Sequence, residues 1–474
     1  MGRLLAVSAH RVVVLAIVVI VAALSAASDN FHVHEHLSTA TRYGHGKMST
    51  GRLFNGTDEI PPKCSPIHIN LVARHGTRAP TKKRIKQIDN FAERIREWGN
   101  SSQHAPMWMK EWKSPWHGRT MGGEVLQKGE EEMFELAQRI RSRYPDIFKD
   151  EYHPGIYTMS ATQVPRSAAS AVAFGMGLFA GEGSLGPGRH RAFSVISDSR
   201  THDTHLRFYE SCSAYQKSKI EAMPQVAELQ EDLYVQVALS LQERFKFNIT
   251  KEDVPVLWFL CKQEAAALDI VDQSCILFTK EEVEMLEWAD DLEVHKLKGY
   301  GKSINYRIGV PLLTNVYESM ERAIAARKAG GVTAEKAHFR FAHAETVIPF
   351  ICLLGLFLDE EDVQKIMIEA ALDPPPAPPK NRVWKGSAVA PYGANTMIVL
   401  YQCSSTNEDG KQLQDSDFYV QVLHNERAVT LPGCNGIQLC PFEVFKEQVV
   451  LPHMKYQYES LCELRNLGEK HDEL

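Results

Sequence analysis

The chain has 474 residues, 44% hydrophobic and 24% charged, with a formal net charge of −6. That length allows two or three domains at roughly 100–200 residues each, and the apolar fraction rules out a globally disordered chain. An acidic balance argues against a general nucleic-acid binder but leaves room for a local basic cleft.

The first stretch has the layout of a secretory signal peptide. Arg3 and Arg11 precede the unbroken apolar run Val12 to Leu24, and Ser25-Ala26-Ala27 supplies small residues. The run is short of the roughly 20 residues that a membrane-spanning helix needs, so cleavage near Ala27 is expected, with an uncleaved anchor as the alternative. No later segment is long and apolar enough to span. Residues 28–60 read as an irregular N-terminal segment. His32, His34 and His36 alternate there around Glu35, which we read as a mobile tail in preference to a metal site.

Ile67 to Ala73 is an apolar, strand-like run that opens onto Arg74-His75-Gly76-Thr77-Arg78-Ala79-Pro80 and the basic Thr81-Lys82-Lys83-Arg84. Ile85, Ile88, Phe91 and Ile95 give helical spacing over 84–98, as do Met133, Leu136 and Ile140 over 124–143. Ile156 to Ser160 reads as a strand, and Thr162 and Pro165 introduce a helix from Arg166 to Ala180. Gly181 to Gly186 matches GxGxxG, yet it follows a helix and opens none, so no dinucleotide site is expected. From about 195 to 310 the periodicity is mostly helical and the charge density high.

Val310 to Arg327 reads as a further helix. Phe339 to Phe341 is a short strand leading into His343-Ala344-Glu345, and Val347 to Phe357 reads as a helix packed on a sheet. The proline-rich run Asp373 to Pro379 excludes helix. Thr396 to Gln402 reads as a strand. Phe418 to Leu423 and Arg427 to Leu431 read as a hairpin around His424-Asn425-Glu426.

Nine cysteines, at 64, 212, 261, 275, 352, 403, 434, 440 and 462, imply disulfides in an oxidising lumen. Cys261 with Cys275 and Cys434 with Cys440 are close enough to close local loops. Cys352, in an apolar run, is expected to stay free as a small buried hydrophobe. Sequons at Asn55, Asn100 and Asn248 are candidate glycosylation sites. The final His471-Asp472-Glu473-Leu474 is an endoplasmic-reticulum retrieval address.

The chemistry suggested by the central stretch is phosphoryl transfer. Cations must hold the phosphoryl oxygens, a nucleophile must sit in line, and an acid must protonate the leaving alcohol. His75 can attack phosphorus, and neighbouring guanidinium groups disfavour its protonated form. Arg74 and Arg78 offer bidentate forks. Arg166, at a helix start after a strand, adds a third where the helix dipole favours anions. His343 can donate a further hydrogen bond, and Glu345 can reach the leaving oxygen as general acid. His343 and Glu345 could instead be two metal ligands, but no matching cluster accompanies them, and this chemistry needs no metal or other cofactor.

These residues resemble the RHGxRxP signature of the histidine acid phosphatases. The second motif of that family usually reads His-Asp. His343-Ala344-Glu345 instead resembles the multiple inositol polyphosphate phosphatase branch, which includes plant phytases of this type. Leu206-Arg207-Phe208-Tyr209-Glu210-Ser211-Cys212 and Lys298-Gly299-Tyr300-Gly301 are similar to that branch too, so the resemblance spans about Cys64 to Cys462. It implies that His75 is the phosphorylated nucleophile and that Arg74, Arg78, Arg166 and His343 bind the scissile phosphate. Glu345 would donate the proton in place of the usual aspartate. It also implies the disulfides Cys64–Cys403, Cys212–Cys462, Cys261–Cys275 and Cys434–Cys440.

The implied fold class is α/β: an α/β sandwich domain of histidine-phosphatase type with an inserted, mainly α-helical domain. We expect a signal peptide at 1–27, an irregular segment at 28–60, an α/β domain from 61–80, 125–195 and 310–470, a helical cap from 81–124 and 196–309, and the retrieval signal at 471–474. The expected substrate is a small polyphosphorylated molecule such as phytate. Lys82, Lys83, Arg84, His205 and Lys298 are the candidate cations for its outer phosphates. The expected partner is the retrieval receptor. No nucleic-acid partner and no stable membrane association after signal cleavage are expected, and the chain is expected to be a monomer in the endoplasmic-reticulum lumen with partial secretion. The alternatives are an acid phosphatase or bisphosphoglycerate phosphatase, a phosphoglycerate-mutase-like phosphotransferase, and a luminal binding protein.

Overall fold

A computed structural model describes residues 31–45, 60–330, 335–358, 382–404 and 417–464. Of these, 34–464 belong to one compact unit and 31–33 to a separate one. The expected signal peptide at 1–27, the Asn55 sequon, the proline-rich run 373–379 and the terminal His-Asp-Glu-Leu lie outside the described residues.

The strands are β1 (Cys64–Arg74), β2 (Tyr157–Ala161), β3 (Ala337–Ala342), β4 (Asn395–Cys403), β5 (Asp417–His424), β6 (Arg427–Val429) and β7 (Leu439–Pro441). Among the described residues they form one mixed sheet in the order β2-β3-β1-β4-β5-β6, with β7 on β5. β1 is central, running parallel to β3 and antiparallel to β4. The longer helices are α1 (Lys82–Ser101), α2 (Gln127–Arg143), α3 (Pro165–Leu178), α4 (Ser213–Phe245), α5 (Val254–Gln263), α6 (Lys280–Lys298), α7 (Val310–Lys328) and α8 (Ala344–Leu353).

The central strand is covered on both faces, but only one face of β1 is uniformly apolar: His68 and Asn70 are buried on the other, where both meet Ser319 Oγ (3.1 and 2.9 Å). Ile69, Leu71 and Ala73 alternate with period two onto the face shared with Phe339, Phe341, Met133, Leu136 and Phe174. Val72 points the other way, into a core with Ile398, Leu400, Val316, Met320, Val347 and Ile351. Helices α2 and α3 therefore cover one face of the sheet, and α7 and α8 the other. In α1 the buried positions are Ile85, Ile88, Ala92, Ile95, Trp98 and Gly99, so Ile85, Ile88 and Ile95 of the stripe read from the sequence face the core while Phe91 is only half-buried. A capping box starts α6: Glu282 N–H donates to Thr279 Oγ1 (3.3 Å), and Thr279 N–H donates to Glu282 Oε2 (2.7 Å). Helices α4 and α6 share a small core of Leu233, Trp288, Ala289 and Leu292. The hairpin turns at Asn425 and Glu426, both left-handed (φ 46° and 67°), as a two-residue loop requires. Residues 181–186 form turns and open no helix.

One expectation needs correction. The segment 34–45, read as a mobile tail, is packed: Leu37, Ser38 and Thr41 are buried. Ser38 Oγ donates to Asp291 (2.6 Å), and His36 Nδ1 lies 3.0 Å from Glu287. Glu287 and Asp291 are buried on α6, and Arg382 reaches both, at 3.1 and 2.8 Å. Buried carboxylates need such polar partners, so a polar composition here marks docking onto charge. Among the described residues, no group of His, Cys, Asp or Glu could hold a metal ion, and no helix is long and apolar enough to cross a membrane. Disulfides join Cys64–Cys403, Cys212–Cys462, Cys261–Cys275 and Cys434–Cys440, while Cys352 is free and buried.

Candidate active site

β1 delivers Arg74 and His75 to the carboxyl edge of the sheet, the usual place for a ligand in an open α/β fold. His75 N–H donates to Ala342 O (3.0 Å), which ties the loop to the end of β3. The loop then presses onto α2. A Cβ on Gly76 would stand 2.2 Å from Gly129 O, and one on Gly129 would stand 2.2 Å from Thr77 O, so both positions require glycine. Glu132, one turn along α2, accepts from Thr77 N–H (2.9 Å) and Thr77 Oγ1–H (2.7 Å). Gly76 N–H donates to Ser170 Oγ on α3 (3.1 Å). The loop is thereby fixed from two helices.

His75 is buried, and its Nδ1 lies 3.0 Å from Gly76 O. A carbonyl only accepts, so Nδ1 carries the proton and Nε2 keeps its lone pair. Burial, then Arg74, Arg78, His343 and Arg166, hold its pKa well below the ordinary histidine value. The ring is therefore neutral, with a free Nε2 lone pair. Arg74 is buried, donates to Thr39 O and to Ala390 O (2.7 Å), and lays its Cζ 4.3 Å from the Tyr392 ring centroid. Arg78 Cζ lies 5.9 Å from the same centroid. Burial brings Arg74 down to about 10, so it stays charged at any physiological pH.

The other two parallel strands supply the opposite wall. After β2, Arg166 occupies the first turn of α3, where the orphan N–H groups also favour an anion. After β3, His343 precedes α8, with its ring centroid 5.5 Å from that of His75. His343 Nδ1 lies 3.2 Å from Arg166 Nη2, and its Nε2 lies 3.0 Å from Thr162 Oγ1 and 3.1 Å from Arg207 Nη1. Burial, then Arg166 and Arg207, push its pKa to about 3. A neutral imidazole has one lone pair for these two guanidinium groups, so one fork faces an N–H and is left wanting an anion. Glu345, in the first turn of α8, pairs with Lys298 Nζ at the end of α6 (2.9 Å). Burial would raise the Glu345 pKa, but the charge and hydrogen bond of Lys298, with His343 and a backbone hydrogen bond, together hold the carboxyl well below its ordinary range.

Arg74, His75, Arg78, Arg166, His343 and Glu345, from three separate stretches of sequence, thus share one electrostatic site. Lys298 belongs to it as well. Lys82, Lys83 and Arg84 stand exposed on the first turn of α1. Arg84 donates to Gln87 (2.7 Å) and stacks on Phe259. His205 is half-buried beside Arg207.

Arg207, Glu132, Tyr392 and Lys219 were missed in the sequence. Arg207 is buried, with its guanidinium also paired to Glu210. Its signal was an arginine between Leu206 and Phe208, with Glu210 one turn on. Glu132 stands out as a charge on the apolar stripe of α2, beside Met133 and Leu136. Lys219, half-buried on α4, sits in the fields of Lys298 and Glu345. Tyr392 carries no comparable local signal.

Residues 67–425 match the profile of the histidine phosphatase superfamily, branch 2. The chain belongs to that superfamily. Among curated relatives of this branch, the Dictyostelium discoideum protein named multiple inositol polyphosphate phosphatase 1 is 26% identical over 461 residues, covering 86% of this chain and 70% of that one. The human protein of the same name is 24% identical over 435 residues, covering 87% and 84%. Among solved histidine phosphatase folds, the phytase from D. castellii superposes with a TM-score of 0.71 at 17% identity, covering 92% of this chain and 88% of that one. The Bifidobacterium longum multiple inositol polyphosphate phosphatase, in complex with inositol hexasulfate, superposes with a TM-score of 0.62 at 17% identity, covering 88% and 98%. At those identities the structural likeness speaks for the fold alone.

Proposed function

We propose that this protein is a phosphatase that removes phosphate groups from inositol polyphosphates such as phytate, through a phosphohistidine. The observation that carries this reading is the His75 ring: buried, neutral, with the Nε2 lone pair left free by the Nδ1 bond to Gly76 O. Around it stand Arg74, Arg78, Arg166 and His343, a donor set suited to a tetrahedral dianion.

In the first step the Nε2 lone pair forms an N–P bond and the P–O ester bond breaks. Its electron pair leaves on the alcohol oxygen, which takes a proton from Glu345. In the second step water attacks phosphorus, the N–P electrons return to Nε2, and the water's proton passes to the Glu345 carboxylate. Arg74, Arg78 and Arg166 would hold the three non-bridging oxygens throughout. Arg207 and Lys298 supply positive charge beyond that dianion, which supports a substrate carrying several phosphates. Lys219, Lys82, Lys83, Arg84 and His205 would extend that field outward.

The helical stretches 81–124 and 196–309 would form the cap over the site, a role supported by the separate core between α4 and α6. A luminal, glycosylated enzyme fits the N-terminal apolar run, the terminal His-Asp-Glu-Leu and the exposed sequons at Asn100 and Asn248. Deleting residues 471–474 should shift the protein from cells to medium if that address operates.

The direct test is phosphate release from phytate in the presence of EDTA. Release by the wild type and none by His75→Ala is expected. A His75→Ala variant as active as the wild type refutes the phosphohistidine.

A further inference from the structure

Glu345 presents a conflict in the proposed mechanism, and the resolution below rests on that mechanism. A general acid must carry a proton when the ester bond breaks. Here the carboxyl is clamped as a carboxylate by Lys298, with Nζ–Oε1 at 2.9 Å. Its place in the first turn of α8 favours the ionised form further. The other groups that face it leave this unchanged. Arg74 from β1, Arg166 from α3 and Lys219 from α4 add positive charge; Tyr209 and Tyr215 present phenols; His343 precedes the same helix. Glu293, on α6, acts on Lys298 and Lys219.

Lys298 is the final residue of α6 and sits on a long flexible stem. The backbone beneath it is rigid. A Cβ on Gly299 would stand 2.6 Å from Trp384, and Asn305 Nδ2 donates to Lys296 O (2.9 Å) and Gly299 O (3.1 Å). The ammonium can therefore exchange partners while its Cα stays in place. A mononegative or dianionic phosphate at His75 meets the arginines and leaves Lys298 on Glu345. A substrate with further phosphates offers that ammonium a second, more highly charged partner within reach of the same pocket.

We propose that Lys298 couples the charge of the substrate to the protonation of Glu345: a phosphate other than the one being cleaved draws the ammonium away, and the released carboxylate takes up the proton it then gives to the leaving oxygen. The bound phosphates neutralise Arg74 and Arg166 at the same moment, so burial becomes the dominant influence on Glu345 and favours its acid form. The proton comes from solvent on the first turnover and from the attacking water on later ones. Lys298 is thus a positioning residue for the acid as well as a contact for the substrate. It makes the site slow on single phosphates with poor leaving groups and fast on polyphosphates.

Two measurements test this. Kinetics on glycerol 2-phosphate, phytate and p-nitrophenyl phosphate compare the wild type with Lys298→Met, folding being checked by thermal unfolding. Lys298→Gln replaces it if Lys298→Met does not fold. The substitution frees the acid, so kcat on glycerol 2-phosphate should rise by about tenfold while kcat/KM on phytate falls. A plain substrate-binding or structural lysine predicts that both fall, and that outcome overturns the coupling.

Independently, wild type is titrated with inositol hexasulfate, whose sulfate esters hold no proton, by calorimetry in buffers of different ionisation enthalpy. Binding should take up about one proton per site in the ordinary carboxyl pH range, with that uptake lost in Glu345→Gln and reduced in Lys298→Met. Equal uptake in all three proteins assigns the proton to His75 or His343 and overturns the proposal. A wild type that hydrolyses none of the three substrates overturns the phosphatase reading itself, a result distinct from an active wild type with an unaltered Lys298→Met preference.

Discussion

Glu132 anchors the loop that bears His75, and two substitutions there separate its charge from its shape. Its carboxylate takes two hydrogen bonds from Thr77, a residue with no exposure to solvent. Hydrogen bonds to a charged group are worth about 1.5–3 kcal/mol each. Glu132→Ala removes both and strands two buried donors, for roughly 3–6 kcal/mol. Burial raises the Glu132 pKa, so ionising it there has a cost that the alanine escapes. Arg42 (3.6 Å away) keeps its bond to Asp269. The net loss should lie near the lower end, about 3–4 kcal/mol. At about 2.1 cal/mol/K of unfolding entropy per residue, a unit of this size shifts its Tm by roughly 1 °C per kcal/mol.

The expected drop is therefore a few degrees, with kcat on p-nitrophenyl phosphate down by about 100-fold because His75 shifts with its loop. Glu132→Gln behaves differently. Its Oε1 can accept from Thr77 N–H while its Nε2–H donates to Thr77 Oγ1, so it should lose only about 1 kcal/mol and retain most activity. Thermal unfolding with parallel kcat measurements on both variants decides it. A Glu132→Ala protein with the wild-type Tm and kcat, or a glutamine variant as impaired as the alanine, refutes the anchoring role.

Gly76→Ala and Gly129→Ala each drive a Cβ into backbone at 2.2 Å, so each should lower kcat by about 100-fold, and the double variant should be little worse than either, because one contact is lost in all three. Arg207→Ala should lower kcat on phytate by about 100-fold, with Arg207→Lys recovering little of it, since a lysine cannot span His343 and Glu210 as the guanidinium does; a lysine variant at wild-type rate shows that this geometry is not needed. Glu264 is fully buried beside Ser274, and burial lifts its pKa from 4.5 to about 7. The folded chain then holds this proton more tightly than the unfolded chain. Stability from the protonated acid is complete below the unfolded value and lost as pH rises through the folded one. Glu264→Gln should flatten that fall, with a gain of roughly 2–3 kcal/mol above the folded value in denaturant titrations run across the window; parallel curves for both proteins would exclude Glu264 as the cause.

The strands around the site were legible because apolar residues recur with period two in β1 and β3 and run together in β4, although the second face of β1 and β3 also buries His68, Asn70 and Arg340. The loop after β1 was legible because arginine, histidine and glycine crowd into one turn. The residues missed act through partners far away in sequence. Glu132 matters through Thr77, 55 positions back, and Arg207 through His343, 136 positions on. The packed segment 34–45 was misread for the same reason: its hydrogen bonds to Glu287 and Asp291 span 251 and 253 residues. Lys298 was expected only to meet substrate. Its pair with Glu345 joins the ends of two helices whose relative placement no local pattern encodes.

The place of β1 in the sheet has a consequence for how the protein is made. Among the described residues β1 is the first strand, it lies in the middle of the sheet, and its neighbours start at Ala337 and Asn395. At about 5–20 residues per second, synthesis needs roughly a quarter of a minute to a minute more to reach the nearer one. For that time an eleven-residue strand has no edge to join, and the Cys64 thiol has no Cys403 to meet. A strand held at the centre of the folded sheet is thus an exposed liability of the nascent chain. Substitutions that slow translation between β1 and β3 should affect yield well before they affect the specific activity of the molecules that do fold.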